Sequence, residues 1–277
     1  MSDAPGMLYI VSTPIGNLGD ISARAIETLT QVHVVLAEDT RHSRPLLERF
    51  EIETPLLSYH EHNEARTSDA LVARMVAGES MALISDAGTP LLSDPGARLV
   101  AAAIEAGVRV VPIPGASALL SALVASGISS SRFTFFGFLE RKGAERASAL
   151  AEIASLAHTA VLYEAAPRVA HTLGELSDAG CGNRLGSVAR ELTKQFEEVR
   201  RGTLRDLAAY YEGSPPRGEV VIVIEGAQAV EPDEGAARDR ARALRAAGVS
   251  ARDVARALVA DQGIARNVAY RLAHEED

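Results

Sequence analysis

Apolar and polar positions change rhythm along this chain. Over the first 125 or so residues, short apolar runs alternate with stretches whose apolar residues recur at helical spacing. LYIVS (8–12), VHVVLAE (32–38), MALIS (81–85) and VRVVPI (108–113) read as strands, and PLLSYH (55–60) closes a further apolar run. Between them, Ser22 to Thr30, PLLERF (45–50), Asp69 to Ala77 and ARLVAAAIEAG (97–107) read as helices, and Gly115 opens another, SALLSALVAS. Strand and helix alternating at this spacing predict a mainly parallel sheet with helices on its faces.

The rhythm shifts near residue 128. SRFTFFGFL (131–139) is aromatic and strand-like, and Ala144 to Leu156 is a charged helical stretch. TAVLYEA (159–165), SVARELT (187–193) and EVVIVIE (219–225) follow as strands, with helices between some of them. The expected division is an N-terminal αβ domain over 1–128, a second αβ domain over 129–228 and a helical tail over 238–277. AQAVEPDEGAA (227–237) reads as an acidic linker before the tail. Within the tail, Ser250 and Asp253 form a capping box and Gly263 separates two helical pieces.

Composition narrows the class. The chain has 277 residues and 47% hydrophobic content, enough for a substantial core. One cysteine, Cys181, cannot form an internal disulfide and has no activating neighbour in sequence, so a reducing, cytoplasmic setting is expected. No apolar run reaches membrane-spanning length. The net charge of −9 argues against a nucleic-acid partner for the chain as a whole, yet it is unevenly spread. From Arg238 onward eight arginines face six acids, a net of +2, which leaves −11 for the remainder.

In a parallel sheet, ligands bind beyond the carboxyl ends of the strands. Four such ends carry unusual residues: STPIGNLGD (12–20), AEDTRHSR (37–44), SDAGTPLLSDPG (85–96) and PIPGASALL (112–120). None is a dinucleotide or P-loop fingerprint. In the third, Asp86 follows the strand directly, and Ala87 and Gly88 offer backbone free of bulky side chains, against which a flat ligand can lie. The same stretch nearly repeats itself, Ser85-Asp86 and then Ser93-Asp94. SYHEHNE (58–64) holds histidines and acids, but its alternation on an extended segment points them to opposite sides, and no metal site is expected.

STPIGNLGDI, AEDTRHS, HEHNE, LISDAGTPLLSDPG and VVPIPGASALLSAL resemble the tetrapyrrole-methylase fold family, and within it the branch that acts on ribosomal RNA. LYEAAPR (162–168), ARELTKQFEE (189–198) and RGEVVIVIEG (217–226) extend the resemblance to about Gly226. Ser12 and EAAPR depart from the usual pattern. The resemblance implies a class III methyltransferase: two αβ domains with a cleft between them, S-adenosylmethionine bound there, and a homodimer. It implies 2′-O-methylation of a cytidine ribose in the decoding region of 16S rRNA, with the small ribosomal subunit as partner. By analogy Pro14, Asp86, Ala87, Gly88, Ser117, Ala118, Tyr163 and Gly218 line the donor site. Asp39, His60 and Glu191 are the candidates for handling the hydroxyl proton, and Arg41, Arg168, Arg190 and Lys194 those for RNA phosphates. Two other readings stand beside this one: C-methylation of a porphyrinoid, and a non-catalytic RNA-binding assembly protein.

Overall fold

The computed structural model describes residues 5–228, 234–262 and 264–275, with the side chain of Gln262 left aside. Gly263, where the sequence suggests a helix break, and much of the expected acidic linker (229–233) lie outside the described residues. The chain divides into two units, Met1–Ala227 and Gln228–Asp277.

The first unit contains two five-stranded sheets. The earlier one is built from β1 (Met7–Val11), β2 (Val34–Ala37), β3 (Leu56–Ser58), β4 (Met81–Ile84) and β5 (Arg109–Ile113). Its order is β3-β2-β4-β1-β5, and every pairing is parallel. All four residues of β2 and of β4 are buried, as expected for inner strands covered on both faces. Alternation along the strands splits the core. Leu8, Leu36 and Leu83 pack with Leu71 and Met75 of α3 (Glu61–Val76) and Leu99 of α4 (Ala97–Glu105). Val11, Val35 and Ile84 face the other way, toward Leu29 of α1 (Ala23–Gln31) and Leu47 of α2 (Thr40–Arg49).

Two helices are longer than their sequence pattern suggests. α2 starts at Thr40 rather than Pro45, because the Asp39 carboxylate caps the Arg41 N–H at 2.9 Å and the proline is accommodated inside the helix. α3 starts at Glu61 rather than Asp69. His60 is its N-cap residue, and the His60 N–H donates to Asn63 Oδ1 at 2.9 Å. HEHNE is therefore a helix start rather than an extended segment, and its side chains do not alternate between two sides as expected.

The second sheet comprises β6 (Phe133–Phe138), β7 (Thr159–Ala165), β8 (Leu185–Arg190), β9 (Glu198–Thr203) and β10 (Glu219–Ile224). Its order is β6-β7-β10-β8-β9, with β6 and β7 parallel and the other pairings antiparallel. β9, EVRRGT, is absent from the apolar pattern because it is a polar edge strand. One face of this sheet is covered by α6 (Ala144–Ser155), α7 (Val169–Leu176) and α8 (Leu204–Gly213). The opposite face is covered by α5 (Ala118–Ser126), whose Leu119 and Leu123 pack with Val161, Ala189, Val221 and Val223. The chain thus leaves the first sheet at Ile113, and its next helix already belongs to the core of the second.

The second unit holds α9 (Glu234–Ala246), α10 (Ala251–Gln262) and α11 (Arg266–His274) around Ala241, Val254, Leu258, Ile264 and Leu272. The end of the expected linker is therefore already helical. Among the described residues no helix is long and apolar enough to cross a membrane.

Candidate functional site

The four unusual loops leave β1, β2, β4 and β5, which are neighbours in the order β2-β4-β1-β5, so the loops stand side by side at one sheet edge. They are laced together. The Thr13 N–H donates to the Gly88 carbonyl at 2.8 Å, and the Gly88 N–H to the Thr13 carbonyl at 3.1 Å. The hydroxyls of Ser12 and Thr89 meet at 3.0 Å, and Thr89 donates to the Ala116 carbonyl at 3.2 Å. The departure at Ser12 thus supplies one of the ties. The Asp39 N–H donates to Asp86 Oδ1 at 3.2 Å, joining the second loop to the third. Gly88 has φ +80°, and a Cβ on it would stand 3.2 Å from Ile15 Cγ2. Glycine alone meets both demands without strain.

Against this edge lies β10 with β7. Between the halves is a cavity of about 380 Å³, within the range of small-molecule sites. Asp86, Ala87, Gly88, Ser117, Ala118, Tyr163 and Gly218 all line it. Asp94 and Phe138 line it too, and Phe138 and Tyr163 are tilted together with centroids 5.4 Å apart. Seven of the eight expected donor-site residues therefore share one cavity, and Pro14 lines its neighbour.

That neighbour, of about 480 Å³, is lined by Pro14, Gly16, Arg41, His42, Ser43 and Lys194, among others. The two cavities have Ile15, Asp86, Ala87 and Glu219 in common. Lys194 comes from the second half. Its stem crosses Gly16, where a Cβ would collide with it, and its Nζ donates to Glu191 at 3.1 Å and Glu219 at 3.2 Å. Burial alone would lower the Lys194 pKa, but the two carboxylates outweigh it and hold the ammonium above its ordinary value. Glu191 has φ +50° and lies against Gly218 so closely that a Cβ on Gly218, itself at φ +84°, would collide with Oε1. The Ser43 hydroxyl is buried without a hydrogen-bond partner, on a residue that lines this second cavity.

The electrostatics of the edge are acidic. Burial, then the nearby charge of Glu38, raises the Asp94 carboxyl from 3.8 to about 6. Glu38 is itself raised, first by burial and then by Asp86. Asp39 goes the other way. Its hydrogen bonds with Arg41, at 3.0 and 2.7 Å, hold its pKa at about 2.

The remaining expected residues are placed as follows. Asp39 and His60 line neither cavity; His60 sits near Glu38, with its Nδ1 buried and unpartnered. Glu191 lines neither cavity; its carboxylate accepts from Lys194 and its N–H donates to the Glu219 carbonyl, both residues of the second cavity's lining. Arg168 is held inside the fold, at 3.0 Å from the fully buried Glu164 and 2.7 Å from the Leu139 carbonyl. Arg190 pairs with Glu198 at 2.6 Å. Arg41 and Lys194 alone of the four expected cations line a cavity beside the donor-site residues. Among the described residues no group of three or more His, Cys, Asp or Glu is placed to hold a metal. Sequence reasoning does not single out Asp94, Glu219 or Ser43 as site residues. The repeated Ser-Asp is a signal for the first, whereas Ser43 has none, since it lies in a segment that reads as loop.

The family model of tetrapyrrole (corrin/porphyrin) methylases matches residues 7–208. A Synechocystis protein named ribosomal RNA small subunit methyltransferase I is 47% identical over 248 residues, covering 88% of this chain and 89% of its own. A Mesorhizobium japonicum protein of the same name is 50% identical, covering 84% of this chain and 79% of its own. Among solved structures, uroporphyrin-III C-methyltransferase from Thermus thermophilus complexed with S-adenyl homocysteine superposes with TM-score 0.57 at 19% identity, over 79% of this chain and 97% of that one. That likeness is one of fold.

Proposed function

The chain belongs to the tetrapyrrole (corrin/porphyrin) methylase family, and from that premise we propose that it transfers a methyl group to the 2′-oxygen of a cytidine in 16S rRNA. Its methyl donor is S-adenosylmethionine, which when bound supplies an electrophilic methyl on a sulfonium for direct displacement. The residues present fit that donor. Gly88, Ala87 and Ala118 leave backbone open to a flat base, Phe138 and Tyr163 supply an aromatic wall, and Asp86 and Asp94 supply negative charge for a cationic ligand.

The observation that carries the reading is the common wall of the two cavities. Displacement needs the accepting oxygen in line with and close to the methyl carbon, so orientation supplies much of the rate. An acceptor nucleotide in the second cavity would lie across Asp86, Ala87 and Glu219 from the donor. Lys194, fixed by two carboxylates, holds a positive charge for a phosphate or a developing oxyanion. Asp86 and Glu219 are the carboxylates of the common wall that can accept the hydroxyl hydrogen. Asp39, already ionised and bound to Arg41, is better suited to hold Arg41 than to take a proton. Ser43 offers an unused hydroxyl to the incoming nucleotide. The exposed Leu120 and Val124 of α5 support a homodimer, and the relatives' name supports the small ribosomal subunit as partner.

The test is methyl transfer from labelled S-adenosylmethionine to small ribosomal subunits, to protein-free 16S rRNA and to a porphyrinoid, followed by hydrolysis of the RNA. Label recovered as 2′-O-methylcytidine is the expected result. Label in the porphyrinoid alone would overturn the reading, and donor binding with no transfer to any acceptor would leave only the donor assignment standing.

A further inference from the structure

The arginines of the second unit fall into two sets. Arg238 Nε lies 2.7 Å from Glu275, and Arg245 donates to the Glu275 carbonyl. Arg271 lies 2.8 Å from Glu234, and Arg240 faces Asp261 at 3.9 Å. Arg242 is also engaged. These contacts tie α9 to α10, to α11 and to the residue after α11, and they hold the small core shut.

The other set is Arg252, Arg256 and Arg266. Arg252 and Arg256 stand one turn apart on α10, and Arg266 opens α11. With Ala255, Val259, Ala260 and Tyr270 they line one groove of about 540 Å³, and among the described residues no carboxylate lines it. Asp253 stands 3.7 Å from Arg256, and it already accepts the Ser250 hydroxyl at 2.7 Å. Tyr270 is 55% exposed and stacks on His274 at 5.3 Å with planes 17° apart. The groove therefore combines three cations, a short apolar floor and an aromatic ring held flat. That is the composition of a site for single-stranded nucleic acid, in which cations follow the backbone and a ring takes a base. Residues 238–277 carry a net charge of +2 against −11 for residues 1–237, so the groove lies in the stretch of sequence whose charge balance suits a polyanion.

We propose that the groove between α10 and α11 binds an unpaired strand of the ribosomal RNA substrate, with Arg252, Arg256 and Arg266 on phosphates and Tyr270 on a base. This rests on the reading of the chain as an rRNA methyltransferase. It assigns substrate capture to residues of the second unit, none of which lines either cavity of the first.

The experiment uses the full chain and protein-free 16S rRNA at several salt concentrations. An Arg252→Ala/Arg256→Ala/Arg266→Ala variant should bind about tenfold or more weakly. Its plot of log K against log salt should be shallower by about 2, near 0.7 for each phosphate left without its cation. Tyr270→Ala should bind about tenfold more weakly with an unchanged slope, since stacking releases no counterions. Both should bind S-adenosylmethionine as the parent does, which shows that the first unit is intact. Arg238→Ala, which opens a core tie, should lower the melting temperature of the second unit and leave the slope alone. A triple variant with parental affinity and slope overturns the groove while leaving the function standing. Parental binding to naked RNA with lost binding to the assembled subunit overturns it in favour of a protein partner. A parent chain that binds the donor but neither protein-free 16S rRNA nor the small subunit sinks the ribosomal reading and the groove with it.

Discussion

The two cavities of the first unit share a wall and are made of unlike materials. The donor side sets small residues, Ala87, Gly88, Ser117, Ala118 and Gly218, against the rings of Phe138 and Tyr163, and the Thr13–Gly88 hydrogen bonds tie two of its loops together. The other side is built from long or charged groups, Arg41, His42 and Lys194, with one unpartnered hydroxyl. A rigid, close-fitting shell suits one ligand of fixed shape. Cations on long stems suit a flexible polyanion that arrives in many poses and must be drawn into one. The contrast teaches that recognition of shape and recognition of charge meet here at one wall, formed by Ile15, Asp86, Ala87 and Glu219.

The harshest way to break the contrast is to strike the residue that serves both sides. Gly218 lines the donor cavity, and its missing Cβ makes room for Glu191, which holds Lys194. Gly218→Ala should cost about 1–3 kcal/mol of stability from backbone strain alone. It should weaken donor affinity and reduce transfer by about a thousandfold. Calorimetry and initial rates together check this, and adding Glu191→Ala should restore part of the donor affinity by clearing the collision. Parental donor binding in the single variant would show that the close approach is inconsequential.

Lys194→Ala separates the sides. Transfer to rRNA should drop about a hundredfold, the scale of losing one fixed charge-stabilising donor, while the donor Kd stays within about twofold. A large change in donor Kd would mean that the two cavities are one site.

Acidity sharpens the donor side. Asp94 has a folded-state pKa of about 6 against an ordinary 3.8, so the folded chain takes up a proton before the unfolded chain does. The stability this contributes is fully present below about pH 4 and is lost as pH rises through about 6. Donor binding has the opposite sign, because a cationic ligand prefers the ionised carboxylate. Affinity for S-adenosylmethionine should fall by up to about tenfold between pH 7 and 5, and Asp94→Asn should flatten that profile.

The mildest change is Ser43→Ala. It removes a buried hydroxyl with no partner, so stability should hold or rise by up to about 1 kcal/mol. Transfer should fall a few-fold if the nucleotide uses that hydroxyl, as urea unfolding run beside rate measurements would show.

Legibility in the sequence follows the same division. The strands of the first sheet are plain because inner parallel strands are apolar throughout, and the donor loops stand out because four unusual strand ends occur in one parallel sheet. The fold and the family are therefore readable from loops such as SDAG. Charged residues are harder to place. Arg168 and Arg190 carry the same formal charge as Lys194, yet one is paired with a buried glutamate, the next with an edge-strand acid, and the third reaches across Gly16 into a cavity. Only tertiary neighbours decide which cation is used up inside the fold. The early starts of α2 and α3 are hidden for a related reason. Polar first turns, TRHS and HEHNE, owe their helicity to side-chain caps at Asp39 and Asn63 rather than to an apolar stripe.

The placement of α5 has a consequence for how the chain is made. Leu119 and Leu123 belong to a core whose last strand, β10, ends at Ile224, about 100 residues downstream. At about 5–20 residues per second, a growing chain would show this greasy helix to the surroundings for roughly 5–20 s before its seat exists. The nascent first sheet can form meanwhile, but its following helix has nowhere to dock. A stalled or prematurely terminated product ending near residue 130 should therefore be sticky, retained by chaperones or lost to proteolysis, although it contains every strand of the first sheet. Pulse-labelling of chains truncated at 113 and at 130 would measure this, with the shorter product expected to be the more soluble.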